Sequence, residues 1–200
     1  MENKKAKKRS MAMEVCQRLA RNKMAMLGLA ILVVLVLCAV FADVIADYET
    51  KVVAQNIANR LKGPSAEHWF GTDEFGRDIF ARIIHGSRVS LVVGLISVSV
   101  SLILGGILGA FAGFYGGRID NVIMRVMDIF LAVPSILLAM TIVAALGSSL
   151  VNVMLAIGVS GIPTYARIVR AAVMSVKDQE FVEASRAIGA TNVTTIFREI

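Results

Sequence analysis

Long stretches without a single charged residue are the feature that most restricts how this chain can fold. No Asp, Glu, Lys or Arg lies between Lys23 and Asp43, nor from Val89 to Gly117. A helix rises about 1.5 Å per residue, so roughly 20 such residues cover the roughly 30 Å hydrocarbon layer of a bilayer. Inside that layer only helices and closed barrels satisfy their own backbone hydrogen bonds. The sequence therefore predicts an all-α, polytopic membrane protein.

The overall composition points the same way. Hydrophobic residues make up 56% of the chain and charged residues 18%, whereas a soluble domain is nearer half apolar and a quarter charged. The apolar excess is concentrated in the uncharged blocks, which a soluble core would not require. We therefore expect the lipid bilayer, rather than water, to surround most of the chain.

The positive charge is concentrated at the N-terminus. Eight of the 21 Lys and Arg residues lie in the first 23 positions, opposed only by Glu2 and Glu14. A basic flank before an apolar run marks the cytoplasmic side of a membrane, so residues 1–23 are predicted to form a cytoplasmic tail. A nucleic-acid-binding protein shows a similar excess, but no aromatic residue interleaves with these basic ones. Nucleic acid is therefore not an expected partner.

Four predicted spans alternate with more polar connections. The spans cover residues 24–46, 89–115, 129–146 and 150–166, and the third has a helical lead-in from Asn121. With the tail inside, the alternation places residues 47–88 outside, 116–120 inside, 147–152 outside and 167–200 inside. The predicted organisation is thus a tail, a first membrane helix, an outer loop and a core domain over residues 89–200.

Two of the spans contain residues that disturb helices. Pro134 lies inside the third apolar run and predicts a bend or a local gap in the hydrogen bonding. Gly158, Gly161 and Pro163 predict an interruption of the fourth span. Membrane helices tolerate such breaks where neighbouring helices or waters satisfy the freed backbone groups. The pattern is compatible with a translocation pathway and also with a simple kink.

Two patterns predict contacts on particular helix faces. Gly105, Gly109 and Gly113 are four residues apart and share one face, where small residues allow another helix to approach closely. Arg125 and Asp128 are three apart on the lead-in to the third span, so they can pair on one face. Their position at the inner boundary favours an interfacial pair over a buried functional charge.

Cysteine and histidine form no recognisable metal site. Cys16 and Cys38 match no metal-ligand spacing and are expected to be free thiols. His68 and His85 are seventeen residues apart with no evident third ligand, which favours ordinary loop residues. We therefore predict no metal and no cofactor in this chain.

The C-terminal stretch, Glu180–Ile200, predicts a short amphipathic helix, a turn and a second helix. Residues 181–188 include good helix formers, and Gly189 can end a helix. One face carries Phe181, Ala184 and Ile188, while Glu180, Glu183 and Arg186 lie around another. A helix of this kind on a cytoplasmic loop lies on the membrane or docks into a partner's groove.

The same stretch carries a family resemblance. Glu183-Ala184-Ser185, with Gly189 six residues after the Glu, resembles the EAA loop of ABC-importer permeases, in which Glu-Ala-Ala, three residues and Gly lead through a spacer to Leu-Pro. Ser185 replaces the second Ala, a small-for-small change. The sequence ends at Ile200, where the Leu-Pro is expected, so the resemblance implies about six membrane helices of which four are present.

A second resemblance lies in the predicted outer loop. Residues 71–78, Gly-Thr-Asp-Glu-Phe-Gly-Arg-Asp, are similar to the Gly-Thr-Asp-x-x-Gly-Arg-Asp signature of the dipeptide, oligopeptide and nickel permeases. The arrangement is particularly like the second permease subunit, which has one helix before a long outer loop. The residues that match the signature are Gly71, Thr72, Asp73, Gly76, Arg77 and Asp78.

The physical interpretation of this signature is a folded loop that frames the start of the second span. Gly71 and Gly76 permit turns, and Thr72 or Asp73 can cap the following helix. Calcium binding by Asp73, Glu74 and Asp78 is an alternative, but the spacing does not match an EF-hand loop.

Together the two motifs imply the transmembrane subunit of a type I ABC importer in a bacterial cytoplasmic membrane. The sequence has no Gly-x-x-x-x-Gly-Lys-Ser/Thr stretch, so the resemblance implies that ATP is bound by a separate ATPase and that this chain is not an enzyme. A second permease subunit and an extracytoplasmic solute-binding protein are the other implied partners. Glu183, Ala184, Ser185 and Gly189 are the implied ATPase-coupling residues.

Di- and oligopeptides are the expected cargo, with nickel or another small solute as the alternative. A secondary transporter or channel is a rival class, but it predicts ionisable residues deep in the spans, and none lies at the centre of any span. A membrane scaffold accounts for the helices but not for the paired motifs.

Overall fold

The computed structural model describes residues 19–196, which leaves most of the predicted tail, Cys16 and residues 197–200 outside the described part. These residues are mostly helical, and their only β-type pairing is an isolated bridge between Thr72 and Asp78. The chain divides into two compact units, one up to Leu91 and one from Val92. The boundary falls within a long helix, and each unit is described by itself.

The first unit begins with helix α1, Lys23–Val40. The Asn22 side chain caps it by accepting hydrogen bonds from the Met24 and Ala25 amides at 3.1 and 3.2 Å. The chain then turns at Phe41 into the four-residue helix α2, Ala42–Ile45. The first predicted span, residues 24–46, is therefore a long helix followed by a short one. Most α1 side chains are exposed, as expected of a helix that faces lipid.

A loop with two short turns follows. A π-helical turn covers Tyr48–Val53 and a 3₁₀ turn covers Ile57–Asn59. Helix α3, Ile79–Tyr115, starts ten residues before the predicted second span and is the longest helix described. The prediction placed the helix start at Val89 because the first ten residues carry charges, and charge marks the edge of a membrane span rather than the edge of a helix.

The second unit holds the rest of α3 and five further helices. They are α4 (Gly117–Ala132), α5 (Ser135–Leu146), α6 (Leu150–Val176), α7 (Glu180–Ala187) and α8 (Asn192–Thr194). The predicted inner turn, residues 116–120, is much shorter in the structure. Gly116 alone separates α3 from α4, and it does so with φ +64°, a conformation that glycine adopts without strain.

Pro134 breaks the third span, as the sequence predicts. Helix α4 ends at Ala132, α5 begins at Ser135, and the two axes differ in direction by 88°. Proline has no amide hydrogen and disfavours helical geometry in the residue before it. Val133 is accordingly extended, with ψ 130°.

The predicted interruption of the fourth span is wrong. Helix α6 runs without a break through Gly158, Gly161 and Pro163 and continues ten residues past the predicted end at Ala166. Ile162 and Ala166 lie in a buried cluster with Met127 of α4. This packing on both sides of Pro163 holds the helix together despite the missing hydrogen bond.

Three helices are long and apolar enough to cross a membrane: α1, α3 and α6. The bent pair α4 and α5 meets the same criteria when taken together. The described part of the chain thus contains three or four membrane spans by length and composition.

Candidate functional site

The residues singled out in the sequence lie in three places: the C-terminal segment, residues 177–196; a line of small residues on α3; and the loop before α3.

The C-terminal segment folds back on itself immediately after α6. Three residues separate the end of α6 from the start of α7, and the Ser185 carbonyl accepts from the Ala190 amide at 3.1 Å where α7 ends. Gly189 makes the turn with φ +92°, and Thr191 then caps α8. The segment is therefore a helix, a glycine turn and a short second helix.

The buried side of the C-terminal segment packs against α3 and α6. Val182 and Thr195 are fully buried, and Ile196 is nearly so. Ile196 packs with Val173 of α6 and Phe114 of α3 in one apolar cluster. Burying an aliphatic side chain of this size contributes about 1.5–3 kcal/mol. The segment is thus attached to the ends of both α3 and α6.

The other side of the segment is open to solvent in this chain. Glu183, Ala184 and Gly189 are exposed and Ser185 is partly buried. Ile188 at the tip is 87% exposed. Among the described residues, no heavy atom lies within 4 Å of a Cβ added at Gly189, so this side of the turn is open. An exposed apolar tip beside a small-residue turn is typical of a surface that docks against a partner.

The small-residue ridge consists of five α3 residues spaced four apart: Ser97, Ser101, Gly105, Gly109 and Gly113. Helix α6 lies directly against it. The Ser97 and Ser101 hydroxyls donate to the carbonyls of Met154 and Gly158 at 2.9 and 2.6 Å. The three glycines are in close contact with the α6 backbone at Ile162, Ala166 and Arg170. Their missing side chains therefore set the distance between the two helices.

These contacts also show that α3 and α6 run parallel. Each serine contacts a residue 57 positions later in the chain, and the glycine contacts advance along both helices in the same direction. Two parallel membrane-crossing helices require an odd number of crossings between them. Of the intervening helices, only the bent pair α4–α5 has the required composition. We therefore assign α4 and α5 together to one broken span, which gives four spans in the described residues.

Two ion pairs that the sequence did not predict join α4 to α6. The Arg170 guanidinium holds the Asp120 carboxylate through two hydrogen bonds of 2.5 and 2.6 Å. Arg167 Nη2 lies 2.6 Å from Asp128 Oδ1. The predicted Arg125–Asp128 pair is therefore wrong, because α6 packs on the face of α4 that carries Asp128. The signal that was missed is two acids, eight residues apart, matched by two arginines at adjacent turns of α6.

Asp73 is the centre of the loop before α3. Its carboxylate accepts from the Phe75 and Arg77 amides at 2.8 and 3.0 Å. The Arg77 and Arg82 guanidinium groups donate to its other oxygen at 2.8 and 2.6 Å. Burial opposes ionisation, but the Arg77 and Phe75 amides and the Arg77 side chain outweigh it and lower the pKa of Asp73 to about 2.

The two glycines of the motif are required by close backbone contacts. Gly71 and Gly76 have φ +77° and +74°. A Cβ at Gly71 would collide with the Lys62 carbonyl, and one at Gly76 would collide with that of Asn56. Between them, the Thr72 hydroxyl donates to the Asn59 carbonyl and accepts from the Lys62 amide. The motif residues thus fold the loop tightly on itself.

Asp78, rather than Thr72 or Asp73, caps α3. Asp78 Oδ1 accepts from the Ala81 amide at 2.9 Å, and Oδ2 lies 2.8 Å from His68 Nδ1. Burial opposes ionisation of this carboxyl as well, but the Ala81 amide and His68 outweigh it and lower the pKa of Asp78. The predicted cap at Asp73 is wrong because its carboxylate accepts hydrogen bonds from the Phe75 and Arg77 amides in the turn instead.

The alternative of a calcium site has little support in this geometry. The Asp73 oxygens already face two arginines, and Asp78 faces His68 and a backbone amide. His85 Nε2 lies 2.7 Å from the Ala46 carbonyl. Within residues 19–196, no group of three or more His, Cys, Asp or Glu side chains is arranged to hold a metal ion.

Two known families match the chain. Residues 105–200 match the family described as "Binding-protein-dependent transport system inner membrane component". Residues 10–64 match the N-terminal transmembrane domain of oligopeptide transport permease C.

Individual relatives are similar along almost the whole chain. The dipeptide transport system permease protein DppC of Alkalihalophilus pseudofirmus is 48% identical over 94% of this chain and 61% of its own length. The di/tripeptide permease DppC of Pseudomonas aeruginosa is 44% identical over 92% of this chain and 62% of its own. The oligopeptide permease OppC of Bacillus subtilis is 40% identical over 92% and 59%, respectively. The chain thus spans about three fifths of the length of these relatives.

Proposed function

Because the chain belongs to the permease family of binding-protein-dependent transport systems, we propose that it is the membrane-spanning subunit of an ATP-driven importer of short peptides. The importer acts in the bacterial cytoplasmic membrane, with the N-terminus of this chain on the cytoplasmic side. ATP is bound and hydrolysed by a separate ATPase. A second permease subunit completes the pathway, and an extracytoplasmic binding protein delivers the peptide.

The observation that carries this proposal is the open face of the C-terminal segment. Glu183 and Ala184 are exposed, Gly189 turns the chain with φ +92°, and the opposite side is anchored to α3 and α6. A surface that is free on one side and firmly attached on the other is suited to receive mechanical work from a partner. The small side chains at Ala184 and Ser185 allow the ATPase to approach closely.

The mechanism follows from these attachments. When the ATPase subunits close, they displace α7, and the displacement reaches α6 because only three residues separate the two helices. Helix α6 carries α3 with it through the small-residue ridge. The bundle thereby rocks between outward-open and inward-open states, as alternating access requires.

Short peptides are the proposed cargo because the relatives are described as transporters of dipeptides, di/tripeptides, oligopeptides and glutathione. The choice of peptides rests on these relatives and not on a particular residue of this chain. Within the family arrangement the binding protein makes most of that selection, so this chain supplies the pathway and the coupling.

The experiment that tests the proposal is uptake of a labelled dipeptide by proteoliposomes that contain the intact importer. We expect uptake that requires ATP on the side of the C-terminal segment and binding protein on the other side. Co-purification of an ATPase with this chain is the simpler check. ATP-independent uptake, or purification without any ATPase, would contradict the proposal.

A further inference from the structure

Arg170 is the residue at which three helices of the second unit meet. It belongs to α6, and its side chain donates two hydrogen bonds to Asp120 of α4. Its backbone carbonyl faces Gly113 of α3. A Cβ on Gly113 would lie 2.8 Å from that carbonyl oxygen. A displacement of α6 at Arg170 is therefore passed to two neighbouring helices at once.

Arg170 also lies close to where the C-terminal segment is attached. Val173, one turn further along α6, packs against Ile196 of that segment. Helix α6 ends at Val176 and α7 begins at Glu180. Movement of the segment therefore enters α6 at the end that carries Val173 and Arg170.

The Arg170–Asp120 pair differs from its neighbour in burial and geometry. The Asp120 side chain is 13% exposed and that of Arg170 is 32% exposed, whereas Arg167 and Asp128 are 52% and 50% exposed. An exposed single-contact pair contributes little because water and salt screen it. A two-bond arginine–carboxylate pair is stronger and fixes the relative orientation of both groups. The two pairs join the same two helices, so the second is a matched control for the first.

Helix α4 is the half of the broken span that leads to the bend at Pro134. The 88° bend makes α4 a separate rigid piece with its own direction. Besides the apolar contacts around Met127 and the exposed single contact of Asp128 with Arg167, the two-bond link at Asp120 orients α4 on α6. Moving Arg170 therefore changes the angle at which α4 meets the bend.

We propose that Asp120 and Arg170 form a positioning pair that transmits motion of the C-terminal segment to the broken span. This inference rests on the proposed importer function and adds to it a residue pair that couples ATP hydrolysis to opening of the pathway. Neither residue contacts peptide or nucleotide in this role; both act by orienting α4.

The test measures peptide uptake and ATP hydrolysis together, using the intact importer in proteoliposomes. With Asp120→Asn we expect the number of peptides transported per ATP to fall about tenfold, the size of a typical coupling effect. Exchanging the charges, with Asp120→Arg and Arg170→Asp in one chain, should restore most of that ratio. Asp128→Asn, the matched control, should leave it within about twofold.

The outcomes separate the possible explanations. A purely structural role predicts that uptake and hydrolysis fall together with the amount of assembled importer, leaving the ratio unchanged, and that result overturns the proposal. If Asp120→Asn does not assemble, Arg170→Lys decides, because lysine keeps the charge but loses the two-bond geometry. An unchanged ratio in Arg170→Lys also overturns it. A wild-type importer without ATP-dependent uptake refutes the proposed function instead.

Discussion

The guanidinium of Arg88 lies 2.8 Å from the carboxylate of Asp43 and donates to the last carbonyls of α1, including that of Val40 at 3.0 Å. A helix ends with carbonyls that have no partner within the helix and with a partial negative charge. The Arg88 guanidinium donates hydrogen bonds to these carbonyls, and its positive charge offsets their partial negative charge. One side chain thus links the end of the first membrane helix to α3.

Replacing Arg88 should loosen this attachment. We expect Arg88→Met to lower the free energy of unfolding by about 1–3 kcal/mol, because the last carbonyls of α1 lose a charged hydrogen-bond donor. The measurement is the midpoint of thermal unfolding of the detergent-solubilised protein. Asp43→Asn should have a smaller effect, since Asp43 is 66% exposed. Equal midpoints for Arg88→Met and wild type would show that α1 is held by other contacts.

Asp73 should make the loop before α3 sensitive to acid. Its pKa is lowered to about 2 from the ordinary value of 3.8, so its contribution to stability is complete above about pH 4 and is lost as the pH falls toward 2. We expect Asp73→Asn to destabilise the loop by about 2 kcal/mol at neutral pH and to remove this part of the acid dependence. Proteolysis of the loop as a function of pH measures both effects. Glu74→Gln, one residue away, is the control and should change neither.

The small-residue ridge makes neighbouring glycines of α3 respond differently to alanine. Gly109→Ala drives a methyl group into the backbone of Ala166 and should cost about 1–3 kcal/mol through overpacking. A Cβ at Gly106 would meet no heavy atom within 4 Å. Gly106→Ala should therefore be neutral or stabilise the helix by up to about 1 kcal/mol. Thermal unfolding of the two variants measures the difference. Similar losses of stability in both variants would mean that Gly109 is not required for the close approach of α3 and α6.

Two substitutions at Gly189 can distinguish backbone strain within this chain from a collision with a partner. Gly189→Ala should cost about 1–2 kcal/mol because φ +92° is strained for any residue with a Cβ. Among the described residues, no heavy atom lies within 4 Å of a Cβ at Gly189, so a leucine there starts into open space, as an alanine does. If the ATPase docks here, leucine should reduce peptide transport far more than alanine at equal assembly. Equal transport by the two variants would place the ATPase contact elsewhere.

Two exposed positions test the orientation of the chain in the membrane. Ile188 is 87% exposed in the C-terminal segment, and Leu61 is 67% exposed in the loop before α3. In a background with Cys16 and Cys38 changed to serine, a membrane-impermeant maleimide added to intact spheroplasts should label Leu61→Cys but not Ile188→Cys. Inside-out vesicles should give the reverse. Labelling of both positions from one side would contradict the proposed alternation of spans.

The parts of the fold that depend on local chemistry were predictable from the sequence. The uncharged runs identify α1 and α3 as membrane helices, and Pro134 breaks its helix because proline cannot continue one. Gly158, Gly161 and Pro163 carry the same local signal, yet α6 is unbroken. Contacts with α3 and α4 outweigh local preference there, and a single sequence does not reveal which helix face will meet a neighbour.

The ionic contacts show the same limit. Arg125 and Asp128 have the spacing of a helix-surface pair, but Asp128 binds Arg167 on α6 instead. The Arg170–Asp120 pair joins residues 50 positions apart, and no spacing rule along one helix predicts such a distant partner. For the loop before α3, the motif identified the important residues, but the division of labour between Asp73 and Asp78 depended on how the backbone turns.

Each ridge residue of α3 contacts the α6 residue 57 positions later in the chain. This fixed spacing limits where residues can be inserted or deleted. Losing or gaining one residue between Gly158 and Ala166 would rotate everything beyond it by about 100° around the helix axis. The remaining ridge contacts would then meet the wrong face of α6, and Arg170 would point away from Asp120. We therefore expect natural insertions and deletions to avoid both helices and to collect in the connection around Gly147, where a longer chain costs little.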